Sequence, residues 1–178
     1  MGFFDKFKKA AKPAKPAKPE AIVVSEEPGF VYAPVEGEEI ELSAVSDPVF
    51  GSGAMGKGAG FKPTGETVYA PVAGTLVACG APNFHALAIA GDNGAEILIH
   101  VGVDTVEMKG DGFTVYAEKG AHVAAGTPLL GFSKKKIAAA GHDDVVIMAL
   151  TNTDDLASVE TVASGAVKPG DKAVKFAQ

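Results

Sequence analysis

Two histidines in neighbouring apolar segments are the residues best placed to do chemistry. His85 lies near the start of Phe84-His85-Ala86-Leu87-Ala88-Ile89, and His100 near the end of Glu96-Ile97-Leu98-Ile99-His100-Val101. The run Gly91-Asp92-Asn93-Gly94 between them has the composition of a hairpin loop. With those four residues as the loop, cross-strand partners have numbers that sum to 185, as 85 and 100 do. The two imidazoles are then expected directly opposite each other, with Cβ atoms ~4.5–5.5 Å apart. Strand side chains alternate, so His85, Leu87, Leu98 and His100 are expected on one face. Ala86, Ala88, Ile97 and Ile99 form the other, an apolar core face.

Two chemistries use such a pair. In phosphoryl transfer, one imidazole presents a bare nitrogen to the donor while an acceptor holds its other N–H and fixes the tautomer. The second imidazole then steadies the phosphoryl oxygens. A backbone carbonyl in Val101-Gly102-Val103-Asp104-Thr105-Val106 is in reach for the orienting bond. The other chemistry is zinc binding, but a structural zinc wants four ligands and a catalytic zinc three. His122 and His142 are the only other histidines, neither forms an H-x-H or H-E-x-x-H element, and both are expected on the surface.

The elements around the pair read as strands. Of 178 residues, 22 are Gly and 11 Pro, and apolar residues make up 47%, a balance of short strands and turns in one domain. Val31-Tyr-Ala-Pro-Val-Glu-Gly37 recurs as Val68-Tyr-Ala-Pro-Val-Ala-Gly74. Gly120-Ala-His-Val-Ala-Ala-Gly126 with Phe132 is echoed by Ser164-Gly-Ala-Val-Lys-Pro-Gly170 with Phe176. Two copies of a β unit predict an all-β fold, a duplicated antiparallel sandwich or barrel with little helix. Thr153 to Ser158 is expected to make a helical turn capped by Thr153. Cys79, the only cysteine, is expected to be a small buried strand residue, in keeping with a reducing, cytosolic compartment.

Charge narrows the partners. All 16 basic residues are Lys. Residues 1–20 carry six Lys against Asp5 and Glu20, a balance of +4, and residues 21–178 carry ten Lys against twenty acids, −10. Nucleic-acid binding by the main domain is excluded on those signs, and a basic protein partner is favoured. Three segments follow: residues 1–10, 11–21 and 22–178. The first, with Phe3, Phe4 and Phe7 among lysines, reads as an amphipathic segment for an anionic membrane surface. The second is a Lys-Pro-Ala linker favouring polyproline II, a spacer of roughly 30 Å at about 3.1 Å per residue. No apolar run approaches the ~18 residues of a bilayer span, and no apolar signal core follows the charged start.

Several segments together resemble the glucose-type enzyme IIA family of the bacterial sugar phosphotransferase system. They are Asp47-Pro-Val-Phe50, Lys62-Pro-Thr64, Ala70-Pro-Val-Ala-Gly74, His85-Ala and Ile99-His-Val-Gly-Val-Asp-Thr-Val106, followed by Lys109-Gly110 and Gly112-Phe113. The resemblance spans nearly all of residues 22–176. It implies a β-sandwich of the duplicated hybrid-motif type and a monomeric, cytoplasmic phosphocarrier, peripheral at the inner face of the membrane through residues 1–10. It implies that His100 accepts a phosphoryl group through Nε2, that Gly102 offers its carbonyl to Nδ1, and that His85 steadies the group. Asp47 and Asp104 would attract arginines of the donor, the histidine-containing phosphocarrier protein. Val49, Phe50, Met55, Leu98 and Val106 would form an apolar ring. An enzyme IIB domain of the IIB/IIC sugar permease would be the acceptor. No cofactor is required; the family admits a zinc ion shared by His85, His100 and a partner's carboxylate.

The sequence departs from the family at three places. Asn83, expected to keep the orienting role by accepting a hydrogen bond, stands where a Thr commonly orients the first histidine, Ala81 where an aromatic is common, and Leu98 where Phe is common. Two other folds share parts of the pattern. A biotinyl or lipoyl carrier would use Lys109, but it lacks the second flanking Met. A lysostaphin-type zinc peptidase would need the missing H-x-H.

Overall fold

The computed structural model describes residues 14–178, so the amphipathic segment expected at residues 1–10 lies outside it. Among the described residues are fourteen strands and two short α-helices. The strands are β1 (Phe30–Tyr32), β2 (Gly37–Glu41), β3 (Lys57–Pro63), β4 (Thr67–Tyr69), β5 (Gly74–Ala78), β6 (Ala86–Gly91), β7 (Glu96–Val101), β8 (Phe113–Val115), β9 (His122–Val123), β10 (Pro128–Phe132), β11 (Val146–Leu150), β12 (Ser158–Thr161), β13 (Gly165–Val167) and β14 (Lys172–Ala177). The helices are α1 (Pro48–Gly51) and α2 (Lys134–Ala139). All strand pairs are antiparallel. An eight-stranded sheet runs β13-β2-β3-β11-β7-β6-β5-β9, with three-stranded sheets β1-β14-β12 and β4-β10-β8. This is the expected all-β sandwich with little helix.

The sequence repeats map onto equivalent strand pairs. In one copy β1 pairs with β14 and β2 with β13; in the other β4 pairs with β10 and β5 with β9. Each Ala-Pro-Val-x-Gly run carries the chain from a small sheet into the large one, and each echoed Val-x-x-Gly run carries it back. The main core fills the sandwich with Phe61, Leu76, Leu87, Ile89, Ile97, Ile99, Leu129 and Met148, all buried. A smaller core lies on another flank of the large sheet: Leu42, Val45, Phe50, Val145 and Ile147, with Leu98 and Val103 packed against it. β11 joins the two, because its Ile147 faces the small core while Val146 and Met148 face the large one.

Local expectations fared unevenly. Thr153–Asp155 do form a short 3-10 turn, but Asn152 precedes it and no side chain caps it. Thr153 is already inside the turn, and its hydroxyl donates to the Leu150 carbonyl at 2.5 Å and accepts the Lys57 N–H at 2.9 Å. Cys79 lies just past β5 and is half-buried, with its thiol pushed up by burial. Residues 14–21 form neither helix nor strand. Lys18 Nζ reaches the Tyr116 carbonyl at 3.1 Å and Ile22 N–H the Gly126 carbonyl at 3.0 Å, so this stretch touches the domain.

Candidate functional site

The β6–β7 hairpin places the histidines, in a register one residue away from the expected one. Ala86 faces His100, Leu87 faces Ile99 and Ala90 faces Glu96. Gly91 N–H still pairs with the Ala95 carbonyl at 2.8 Å, so the loop is the three residues Asp92-Asn93-Gly94. Gly94 takes φ +88°, the left-handed position such loops need. The Asn93 side chain accepts the Ala95 N–H at 3.1 Å. A one-residue slip exchanges faces along one strand. Leu87, Ile89, Ile97 and Ile99 therefore face the core, while Ala86, Ala88, Leu98 and His100 face outward.

His85 escapes that alternation because it precedes β6, in the turn closed by Ala86 N–H on the Asn83 carbonyl at 3.2 Å. Its own carbonyl accepts Val101 N–H at 2.8 Å, which holds its backbone beside the end of β7. The ring swings to the His100 side, with centroids 4.8 Å apart and planes 76° apart. The two imidazoles meet as expected, by a different route.

His100 Nδ1 lies 2.8 Å from the Gly102 carbonyl oxygen. A carbonyl can only accept, so Nδ1 carries the proton and Nε2 is bare. Burial pushes the His100 pKa down, while the Gly102 carbonyl, Asp47 and Asp104 partly oppose that. His85 is 8% exposed, and burial, then repulsion from His100, pushes its pKa down to about 4. Both rings are neutral at pH 7.

α1 supplies the third wall. Asp47 caps it, Oδ1 accepting Val49 N–H at 2.9 Å and Phe50 N–H at 3.2 Å, with Pro48 in the first turn. Phe50 drops into the small core, and its ring centroid is 5.1 Å from that of His100. The expected apolar residues divide by depth. Val49, Met55 and Val106 are exposed, Phe50 is buried and Leu98 is half-buried. Asp104, exposed, takes φ +59° in the turn after Gly102.

Asn83 stands apart from its expected role. It is exposed, and among the described residues no hydrogen bond joins its side chain to either imidazole. His142 is also unlike its expectation: its side chain is only 13% exposed and its Nε2 lies 3.7 Å from Glu107 Oε2. His122 is at the surface as expected, bonded to Asp92 at 2.8 Å. Among the described residues no three His, Cys, Asp or Glu groups converge as metal ligands. By themselves the two site histidines offer fewer donors than a structural or catalytic zinc needs, with His100 Nδ1 bonded to Gly102 and Nε2 free.

Residues 30–156 match the model of a family described as phosphoenolpyruvate-dependent sugar phosphotransferase system, EIIA 1. The chain belongs to this EIIA family. A glucose-specific EIIA component of Staphylococcus aureus is 38% identical over 144 residues, which cover 81% of this chain and 86% of that protein. The beta-glucoside-specific EIIBCA component of Bacillus subtilis is 40% identical over 139 residues, 78% of this chain. The chain spans only 23% of that protein's length and 22% of a second EIIBCA relative, from Dickeya chrysanthemi. The solved glucose permease IIA of Mycoplasma capricolum superposes with a TM-score of 0.74 at 34% identity, covering 82% of this chain and 93% of that one. EIIA membership leaves the carrier and peptidase alternatives without support. Lys109 itself ends a 3-10 turn (Thr105–Met108) at φ +52°.

Sequence reasoning assigned no role to Thr105 or to Ser46 and Asp143, which bond to each other at 3.0 Å and tie the α1 turn to the strand end before β11. Thr105 belongs to the Ile99–Val106 motif, so a signal existed. Ser46 and Asp143 are 97 residues apart, and only the fold brings them together.

Proposed function

We propose that this EIIA chain is a phosphocarrier: His100 accepts a phosphoryl group on Nε2 from the histidine-containing phosphocarrier protein and passes it to an enzyme IIB domain for sugar uptake. The observation that carries this reading is the bond from His100 Nδ1–H to the Gly102 carbonyl, which leaves Nε2 as a neutral nucleophile. On acceptance, the donor's N–P bond breaks as the Nε2–P bond forms. Nδ1 keeps its proton throughout, so no separate base is needed. His85, packed edge-on against His100, donates to the phosphoryl oxygens. On transfer the Nε2–P bond breaks as a bond forms from phosphorus to the thiolate of the IIB acceptor cysteine, and Nε2 is bare again. The chain touches no sugar.

Asp47 and Asp104 beside His100 favour a basic donor face, and Val49, Met55 and Val106 supply the apolar contact. We place this chemistry on the cytoplasmic side, in a monomer drawn to the inner membrane surface by residues 1–10. Among the described residues no helix is long and apolar enough to cross a membrane.

Incubation with phosphoenolpyruvate, enzyme I and the phosphocarrier protein tests the reading. Acid-labile label appears on His100 and is absent from His100→Ala. Equal labelling of the two proteins overturns it.

A further inference from the structure

The orienting carbonyl of Gly102 is itself held from several sides. Gly102 joins two successive peptide planes. In the first, between Val101 and Gly102, the N–H donates to the Val145 carbonyl at 2.7 Å. The carbonyl of that plane accepts the hydroxyl of Thr105. In the second plane, between Gly102 and Val103, the N–H donates to the Asp143 carbonyl at 3.0 Å, and the carbonyl takes His100 Nδ1–H.

Thr105 is fully buried, and apart from the His100 ring its hydroxyl is the one side-chain group among these bonds. Its methyl also closes the space behind Gly102: a Cβ built there would lie 2.3 Å from Thr105 Cγ2 and 2.8 Å from the Asp143 carbonyl oxygen. Gly102 at φ +78° and Asp104 at φ +59° both occupy the left-handed region. For Asp104 that conformation is intrinsically unfavourable and persists only where the surroundings over-determine it.

We propose that Thr105 is a positioning residue for His100, its hydroxyl holding the Val101–Gly102 peptide so that the next carbonyl meets Nδ1. Without that hydroxyl a buried carbonyl loses its partner, and the turn gains an incentive to rotate. His100 then samples both tautomers instead of one. The effect on phosphoryl transfer rests on the function proposed above; the effect on the tautomer does not.

The test is ring 15N NMR of His100 in the unphosphorylated full chain, with acceptance kinetics alongside. Wild type shows protonated Nδ1 and bare Nε2. Thr105→Val keeps the shape and removes the hydroxyl. It is expected to raise the Nε2–H population and lower the acceptance rate constant by up to about tenfold, the scale of one net hydrogen bond, with KM little changed. Thr105→Ser keeps the hydroxyl and restores the wild-type tautomer. Should the valine variant fail to fold, Thr105→Ala carries the same expectation. A wild-type tautomer in the valine or alanine variant overturns the proposal, as does a serine variant that behaves like valine. A shifted tautomer in a protein whose wild type takes no label on His100 supports the role of Thr105 while removing the function.

Discussion

The imidazole of His100 is bonded to a carbonyl only two residues ahead of it, at 2.8 Å from Gly102. So short a link is open to the chain only because Gly102 turns back at φ +78°. Gly102→Ala places a Cβ against both Thr105 and Asp143 in a backbone region that L-residues avoid. It is expected to destabilise the protein by about 1–3 kcal/mol and to cut labelling of His100 at least about tenfold. Denaturant unfolding and a labelling time course measure the two effects.

On the proposed function, His85 is expected to matter most when the phosphoryl group is passed on. Its ring is neutral at pH 7 and packs against His100 without touching the Gly102 carbonyl bond. His85→Gln keeps a donor at that position but loses the ring. Label is expected still to reach His100, while onward transfer to a IIB domain falls by about 10- to 100-fold. Two single-turnover assays, one for each half-reaction, separate the effects.

The pH profile follows from the depressed histidines. His100 starts below the ordinary range and His85 ionises only near 4, so the bare nitrogen persists through neutral pH. Labelling is expected to be flat from pH 7 to 8. For His85, folded-state pKa lies below the unfolded value. Its contribution to stability is thus complete above about 6.5 and is lost as pH falls towards 4. The stability difference between wild type and His85→Gln should therefore shrink as pH falls from 7 to 4; a difference unchanged across that window contradicts the assignment.

Glu39 works in the other direction. It is 2% exposed on β2, opposite Phe61 and Gly165, and neither carboxylate oxygen has a partner. Burial, then repulsion from Glu41, pushes its pKa up to about 8. The unfolded carboxyl ionises near 4.5, so the contribution of Glu39 to stability falls as pH rises from 4.5 to 8 and levels off above that. Glu39→Ile is expected to stabilise the fold by on the order of 3 kcal/mol at pH 7, with the gain shrinking towards pH 5. Paired urea titrations at the two pH values check the slope.

Deleting residues 1–20 removes none of the residues named at the site. Acceptance of label is expected to match the full chain, and binding to anionic vesicles to weaken. Equal vesicle sedimentation with and without the segment removes the membrane role.

The sequence alone determined the architecture and which two histidines meet. The Ala-Pro-Val-x-Gly and Val-x-x-Gly repeats are local turn chemistry, and turn chemistry places strand ends, so the duplicated sandwich was legible. The Ile99–Val106 run carried His100, Gly102 and Thr105 within six residues. What it could not carry was register. A loop of three residues and one of four have the same composition in Gly91-Asp92-Asn93-Gly94, yet they exchange the faces of β6. Only packing of Leu87 and Ile89 into the main core decides between them, because the wrong choice would expose both. The meeting of His85 with His100, the seat of Phe50 beneath them and the Ser46–Asp143 link join residues 15 to 97 positions apart. Such contacts form only when the β-sheets close over their core. The tertiary structure, and not the pairing rule of the hairpin, therefore set the geometry of the site around His85 and His100.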